Sequence, residues 1–162
     1  MMKTYLFWIA FTEAVGGLSA VLTRKGMEFF SAAVQQPPFT PPPWAFGVAW
    51  AILYLLMAVG MARVQLRQAD KAGSKSLYLY LLQLTFNFIW SLIFFNFQAY
   101  LIAFLWLIAL WILIFQMTRA FEEIDKTAAR LQIPYLLWVL FAGYLNFGVW
   151  FLNRCAPPSV AA

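Results

Sequence analysis

The sequence predicts an all-α membrane protein, a bundle of five transmembrane helices of one integral membrane domain spanning 1–162, and three observations predict it. Hydrophobic residues make up 64% of the chain and charged residues only 10%, where a soluble domain has roughly 45–50% and 25%. Five apolar stretches approach the length of about 20 residues that carries a helix across a hydrocarbon core about 30 Å thick. The Lys and Arg residues sit in connectors and at the ends of those stretches. A chain this apolar has too little polar surface to cover a core in water, so lipid is the solvent that must cover it.

The first predicted helix is Tyr5–Leu22. Lys3 followed by an apolar run has the outline of a secretory signal, but Glu13 interrupts the run and Leu18-Ser19-Ala20 is a poor cleavage site. The run therefore reads as a retained helix. Gly16, Gly17 and Ala20 allow either close helix packing or room for a ligand. Glu13 is the only acidic residue inside a predicted span. It is either protonated, turned toward a polar neighbour, or a polar ligand contact, because an unpartnered charge in hydrocarbon is costly. Tyr5, Trp8 and Tyr100 read as interfacial anchors.

Arg24 to Pro43 is the longest connector, and its end, Gln36-Pro37-Pro38-Phe39-Thr40-Pro41-Pro42-Pro43-Trp44, holds five prolines in seven positions. Such a run either starts a helix rigidly or caps a cavity, with Pro41, Pro42 and Trp44 as the lid. The second helix, Trp44–Val64, aligns Trp50, Tyr54, Met57 and Met61 on one face. The third, Leu77–Phe97, does the same with Gln83, Asn87, Trp90 and Phe94. A tight hairpin around Gln98 leads to the fourth, Tyr100–Thr118, whose Trp106 and Trp111 face lipid or neighbouring helices. The fifth, Ile133–Leu152, aligns Trp138, Ala142, Leu145 and Asn146.

Asn87 and Asn146 are expected to point inward, since an amide facing lipid leaves its groups unpaired at a cost of a few kcal/mol. There they either bond between helices or meet a ligand. The chain has no His and one Cys, Cys155, which excludes an internal disulfide, a thiolate metal cluster and the commonest proton shuttle. No nucleophile and base pair, carboxylate dyad, phosphate loop or metal-ligand set is visible, so hydrolytic and phosphoryl-transfer chemistry are not expected. The net charge of +5 points to membrane orientation and not to nucleic acid. Across five spans, Lys3, Arg63, Arg67, Lys71, Lys75, Arg119, Lys126 and Arg130 share one side, and Arg24, Lys25 and Arg154 the other. The positive-inside rule then places the N-terminus in the cytoplasm. What remains is a pocket of flat π-surfaces with a few hydrogen-bonding groups, suited to a large planar apolar ligand.

The pattern Pro37-Pro38-x-x-Pro41-Pro42-x-x-x-Phe46-x-x-x-Trp50-x-x-Leu53-Tyr54-x-x-Met57 resembles the signature of the translocator protein family, also called tryptophan-rich sensory proteins. Gln83-Leu84-x-x-Asn87-x-x-Trp90 with Phe94-Phe95 resembles its third helix, and Pro134-Tyr135-x-x-Trp138-x-x-x-Ala142-x-x-Leu145-Asn146 its fifth. The resemblance implies a five-helix bundle, usually a homodimer, that binds porphyrins, sterols and synthetic ligands beneath the first loop without a required cofactor. Carried onto this chain, the pocket residues are Phe46, Trp50, Tyr54, Asn87, Trp90, Trp138, Ala142, Leu145 and Asn146. Phe39 departs from the Trp of many members, and Phe29-Phe30 from a common Trp-Tyr pair, so the loop loses indole N–H donors. The sterol motif of animal members is not matched, because Phe147 replaces its Tyr and Tyr144 lies ten residues from Arg154. Three activities fit the resemblance: a receptor or sensor for tetrapyrroles, a carrier for them, or a light-dependent porphyrin-degrading enzyme using Trp50 and Trp138 as redox-active groups.

Overall fold

A computed structural model describes residues 1–67 and 72–154; Lys71 and Cys155 lie outside the described residues. Helix α1 is Met2–Ala33, α2 Pro43–Arg67, α3 Ala72–Ser91 continued by a π turn Leu92–Asn96, α4 Tyr100–Glu122, α5 the short Lys126–Arg130, and α6 Ile133–Asn153. Counting the π turn with α3 and α5 with α6, five helices among the described residues are long and apolar enough to cross a membrane. Each buries less than half of its apolar window against the others. The outward faces carry large apolar side chains such as Leu105, Leu137 and Leu140, the surface that a bilayer covers.

Helix α1 runs well past Leu22, into what the sequence suggests is connector. Local and tertiary causes agree there. No proline occurs before Pro37, Arg24 and Glu28 pair one turn apart at 3.1 Å, and the Phe30 ring packs on Phe94 and Phe95 at 5.3 and 5.6 Å. Gly26 lies against the Phe95 carbonyl so closely that a Cβ would collide with backbone. The loop is thereby reduced to residues 34–42, and α2 begins on Pro43, where a missing N–H costs nothing. At the far end of α3 the π turn carries Phe94 and Phe95 toward α1, and Gln98, at φ 52, closes the hairpin into α4. Helix α4 likewise continues past Thr118 to Glu122.

Trp8 is not an interfacial anchor. It is buried, its ring is 5.3 Å from Tyr80, and its indole N–H is donated to Gln65 of α2. The physical reason is that a protein acceptor reaches the indole before the interface does. Trp106 and Trp111 face neighbouring helices, donating to the carbonyls of Phe86 at 2.9 Å and Leu136 at 3.1 Å.

The end of α2 is clamped to the turn before α5. Asp125 is buried and caps α5, accepting from the N–H groups of Thr127 at 2.8 Å and Ala128 at 3.3 Å. The same carboxylate meets Arg63 at 2.9 Å and the more exposed Arg67 at 3.2 Å. Burial pushes the Asp125 carboxyl up, but the Arg63 hydrogen bond, the two backbone donors and the Arg63 charge outweigh it and hold the group below its ordinary range.

Candidate functional site

Helices α1, α2 and α3 enclose a chamber of ≈ 260 Å³, walled by Ser19 and Thr23, by Phe46, Trp50 and Tyr54, and by Asn87, Trp90 and Phe95. A smaller chamber of ≈ 50 Å³ lies directly beneath the loop, walled by Phe30, Pro41, Phe94, Ala142, Leu145 and Asn146. Met27, Phe46, Trp90 and Phe95 belong to both walls, so these side chains form the partition between the chambers. Trp50 is the centre of the aromatic lining: its ring lies 5.6 Å from Tyr54, 6.1 Å from Trp90 and 6.4 Å from Trp138. Trp90 in turn stacks on Phe94 at 5.5 Å.

A chain of polar side chains forms the floor. The Tyr54 hydroxyl donates to Asn87 Oδ1 at 3.0 Å, Asn87 Nδ2 donates to the Tyr135 hydroxyl at 2.7 Å, and Tyr135 donates to Gln83 Oε1 at 3.0 Å. Higher up, Trp90 Nε1 donates to Asn146 Oδ1 at 3.1 Å, and Asn146 Nδ2 to the Tyr100 carbonyl at 2.7 Å. Both amides point inward and both bond between helices. They act on the chamber by holding Tyr54 and Trp90 in fixed orientations.

Of the residues that the resemblance implies, Phe46, Trp50, Tyr54, Asn87, Trp90, Ala142, Leu145 and Asn146 line one chamber or the other. Trp138 stands in the layer behind, 5.5 Å from Phe46, with its indole nitrogen buried and without a hydrogen-bond partner among the described residues. In the loop, Pro41 lines the small chamber while Pro42 is exposed. Trp44 is 73% exposed and points away. Two helical residues turn through roughly 200°, so with Phe46 facing the chamber Trp44 faces outward. Phe39, at φ 66, is also turned out, 85% exposed, so its departure from Trp does not touch the chamber. Sequence reasoning did not count Tyr135, Ser19 and Ser91 among the site residues. The signal for the serines was polarity inside an apolar helix, and their hydroxyls meet at 3.0 Å.

The loop is fastened to α6. Asn153 Oδ1 accepts the Gln35 N–H at 3.1 Å, its Nδ2 donates to the Gln35 carbonyl at 2.9 Å, and the Tyr144 hydroxyl donates to the Pro38 carbonyl at 3.2 Å. Pro37 is buried against Gly148, where an added Cβ would come within 2.7 Å of the Pro37 ring. Gly148→Val is therefore expected to displace the loop while α6 still forms. Hydrogen exchange at the Gln35 amide should accelerate by an order of magnitude or more, and unchanged protection would show that the Pro37 contact does not seat the loop.

Fold and chamber together define an integral multi-pass membrane protein, a five-helix bundle with an aromatic interior capped by its first loop. The chain belongs to the TspO/MBR family, whose model matches residues 4–151. It is similar to Protein CrtK of Rhodobacter capsulatus, with 33% identity over 97% of this chain and 98% of that protein. Similarity extends to the tryptophan-rich protein TspO of Chlorobaculum tepidum, 34% identical over 93% and 96%. The translocator protein of Bos taurus is 33% identical over 86% of this chain and 83% of its own length.

Proposed function

We propose that this protein is a membrane receptor for planar, largely apolar ligands of the tetrapyrrole class, held against Trp50 and Trp90 beneath the loop. The observation that carries this reading is the pair of adjoining chambers with aromatic walls and few polar groups, the composition of a small-molecule site. Each chamber is below the roughly 300–1,000 Å³ of typical ligand pockets, so a macrocycle binds by displacing the shared Phe46 and merging them. Binding is favoured over passage straight through the bundle because the interior beyond Asn87 is filled by Met57, Tyr80, Tyr135 and Phe121, all essentially inaccessible. In this reading the N-terminus is cytoplasmic and the loop lies on the opposite face of the membrane, an orientation supported by the positive-inside count.

The test is titration of the purified protein with octaethylporphyrin, an uncharged tetrapyrrole, read by tryptophan fluorescence. Saturable quenching is expected, and Trp50→Ala should weaken the affinity roughly tenfold through lost ring contact, with helical circular dichroism retained. Non-saturable quenching, or an affinity indifferent to Trp50, would overturn the reading.

A further inference from the structure

Helix α1 carries two lysines, Lys3 and Lys25, toward the two ends of its apolar run. At about 1.5 Å per residue they stand about 33 Å apart along the helix, close to the hydrocarbon thickness of about 30 Å. Lys25 therefore lies at headgroup level in the leaflet on the loop side. The hairpin around Gln98 lies at the same face, because the apolar spans that it joins end at Asn96 and resume at Tyr100.

Between α1 and this hairpin is an open cleft of ≈ 640 Å³. Val21, Lys25 and Phe29 follow one another at single-turn spacing along its α1 wall, and Phe95, Asn96 and Gln98 form the facing wall. The two walls are tied together. Asn96 Nδ2 donates to the Leu22 carbonyl at 3.0 Å, and Gly26 packs so closely on the Phe95 carbonyl that a Cβ would collide with it.

The charges at this cleft do not cancel. Arg24 is held by Glu28 at 3.1 Å, and Glu28 is the acidic residue at this face among the described residues. Lys25 is exposed and meets no carboxylate among the described residues, and the Gln98 side chain has no hydrogen bond there either. A cation and an amide at headgroup depth, with Val21 and Leu22 one turn toward the bilayer centre, match an amphiphile whose head is an anion. A soluble anion would leave the apolar wall unused, and a zwitterionic head would bring its own cation toward Lys25.

We propose that this cleft binds one anionic phospholipid, with its phosphate on Lys25 and Gln98 and the top of its acyl chain on Val21, Leu22 and Phe95. The lipid is held whether or not the chambers take a tetrapyrrole, so the site stands or falls apart from the receptor reading.

The experiment places the full chain in nanodiscs with one of two photoactivatable phospholipids. Both carry a diazirine at the same position near the top of one acyl chain, and the head is phosphoglycerol in one and phosphocholine in the other. Cross-links are mapped by peptide mass spectrometry, which separates this cleft from the basic connectors at the opposite face. Labelling within 21–29 and 95–98 is expected to be about fivefold higher with the phosphoglycerol lipid, the factor for one exposed cation meeting an anionic lipid. Lys25→Gln should bring the two lipids to within about twofold of each other, whereas Lys25→Arg should keep the preference. Equal labelling of the wild type by both lipids, or a preference that survives Lys25→Gln, overturns the site. Glycerol phosphate, a head without chains, should not compete at millimolar concentration, and loss of labelling in its presence overturns the lipid assignment in favour of a soluble anion.

Discussion

Replacing Asn87 by leucine is expected to lower the stability of the detergent-solubilised protein by about 2 kcal/mol, because a side chain of similar size removes the middle link of a buried hydrogen-bond relay. The buried Tyr54 hydroxyl loses its acceptor, while Tyr135 loses the Asn87 donor and keeps its own bond to Gln83. A buried hydroxyl left unpaired costs about 1–3 kcal/mol, whereas the packing change is small. Thermal unfolding followed by circular dichroism gives the value. The double variant Asn87→Leu with Tyr54→Phe should recover part of it, since the stranded hydroxyl is then gone. A variant as stable as the wild type would show that the relay does not support the bundle. Because both Asn87 amide groups are committed to tyrosines, octaethylporphyrin affinity should fall less than in Trp50→Ala, and a larger fall would mean that the amide reaches the ligand itself.

The second large effect is expected at the opposite end of the bundle from the loop. Asp125→Ala removes the α5 cap, worth about 1 kcal/mol, together with the charged hydrogen bond to Arg63, worth about 1.5–3 kcal/mol. The Arg67 contact adds little, since that side chain is 56% exposed and solvent screens it. A total of about 3 kcal/mol follows, because the arginines left behind can turn to water. The sign of the pH dependence is set by the Asp125 carboxyl being held below its ordinary range. Its contribution is complete above roughly pH 4, the unfolded value, and is lost as pH falls through the lower folded value. The wild type should therefore destabilise on acidification below about pH 4 more steeply than Asp125→Ala. Parallel acid profiles would show that the clamp is not energetically coupled to folding.

Much of the site was legible from particular residues. Asn87 and Asn146 had to point inward, since hydrocarbon penalises an unpaired amide whatever its partner turns out to be. The 3.6-residue spacing then carried Trp50, Tyr54 and Trp90 toward the same interior. Trp44 and Trp138 were harder. Trp138 is a motif residue and Trp44 lies near one, but the ring of Trp44 follows the helical phase outward, and Trp138 packs behind Phe46.

The sequence by itself determined the number of spans, the inward face of the polar residues and the family, because these follow from transfer cost and local periodicity, which act on each segment separately. Only the tertiary structure decided the length of α1, the partner taken by each amide and the seating of the loop. Those depend on pairs far apart along the chain, Tyr54 with Asn87 at a separation of 33 residues and Gln35 with Asn153 at 118. No local pattern carries such pairings, since they exist only once the helices have packed.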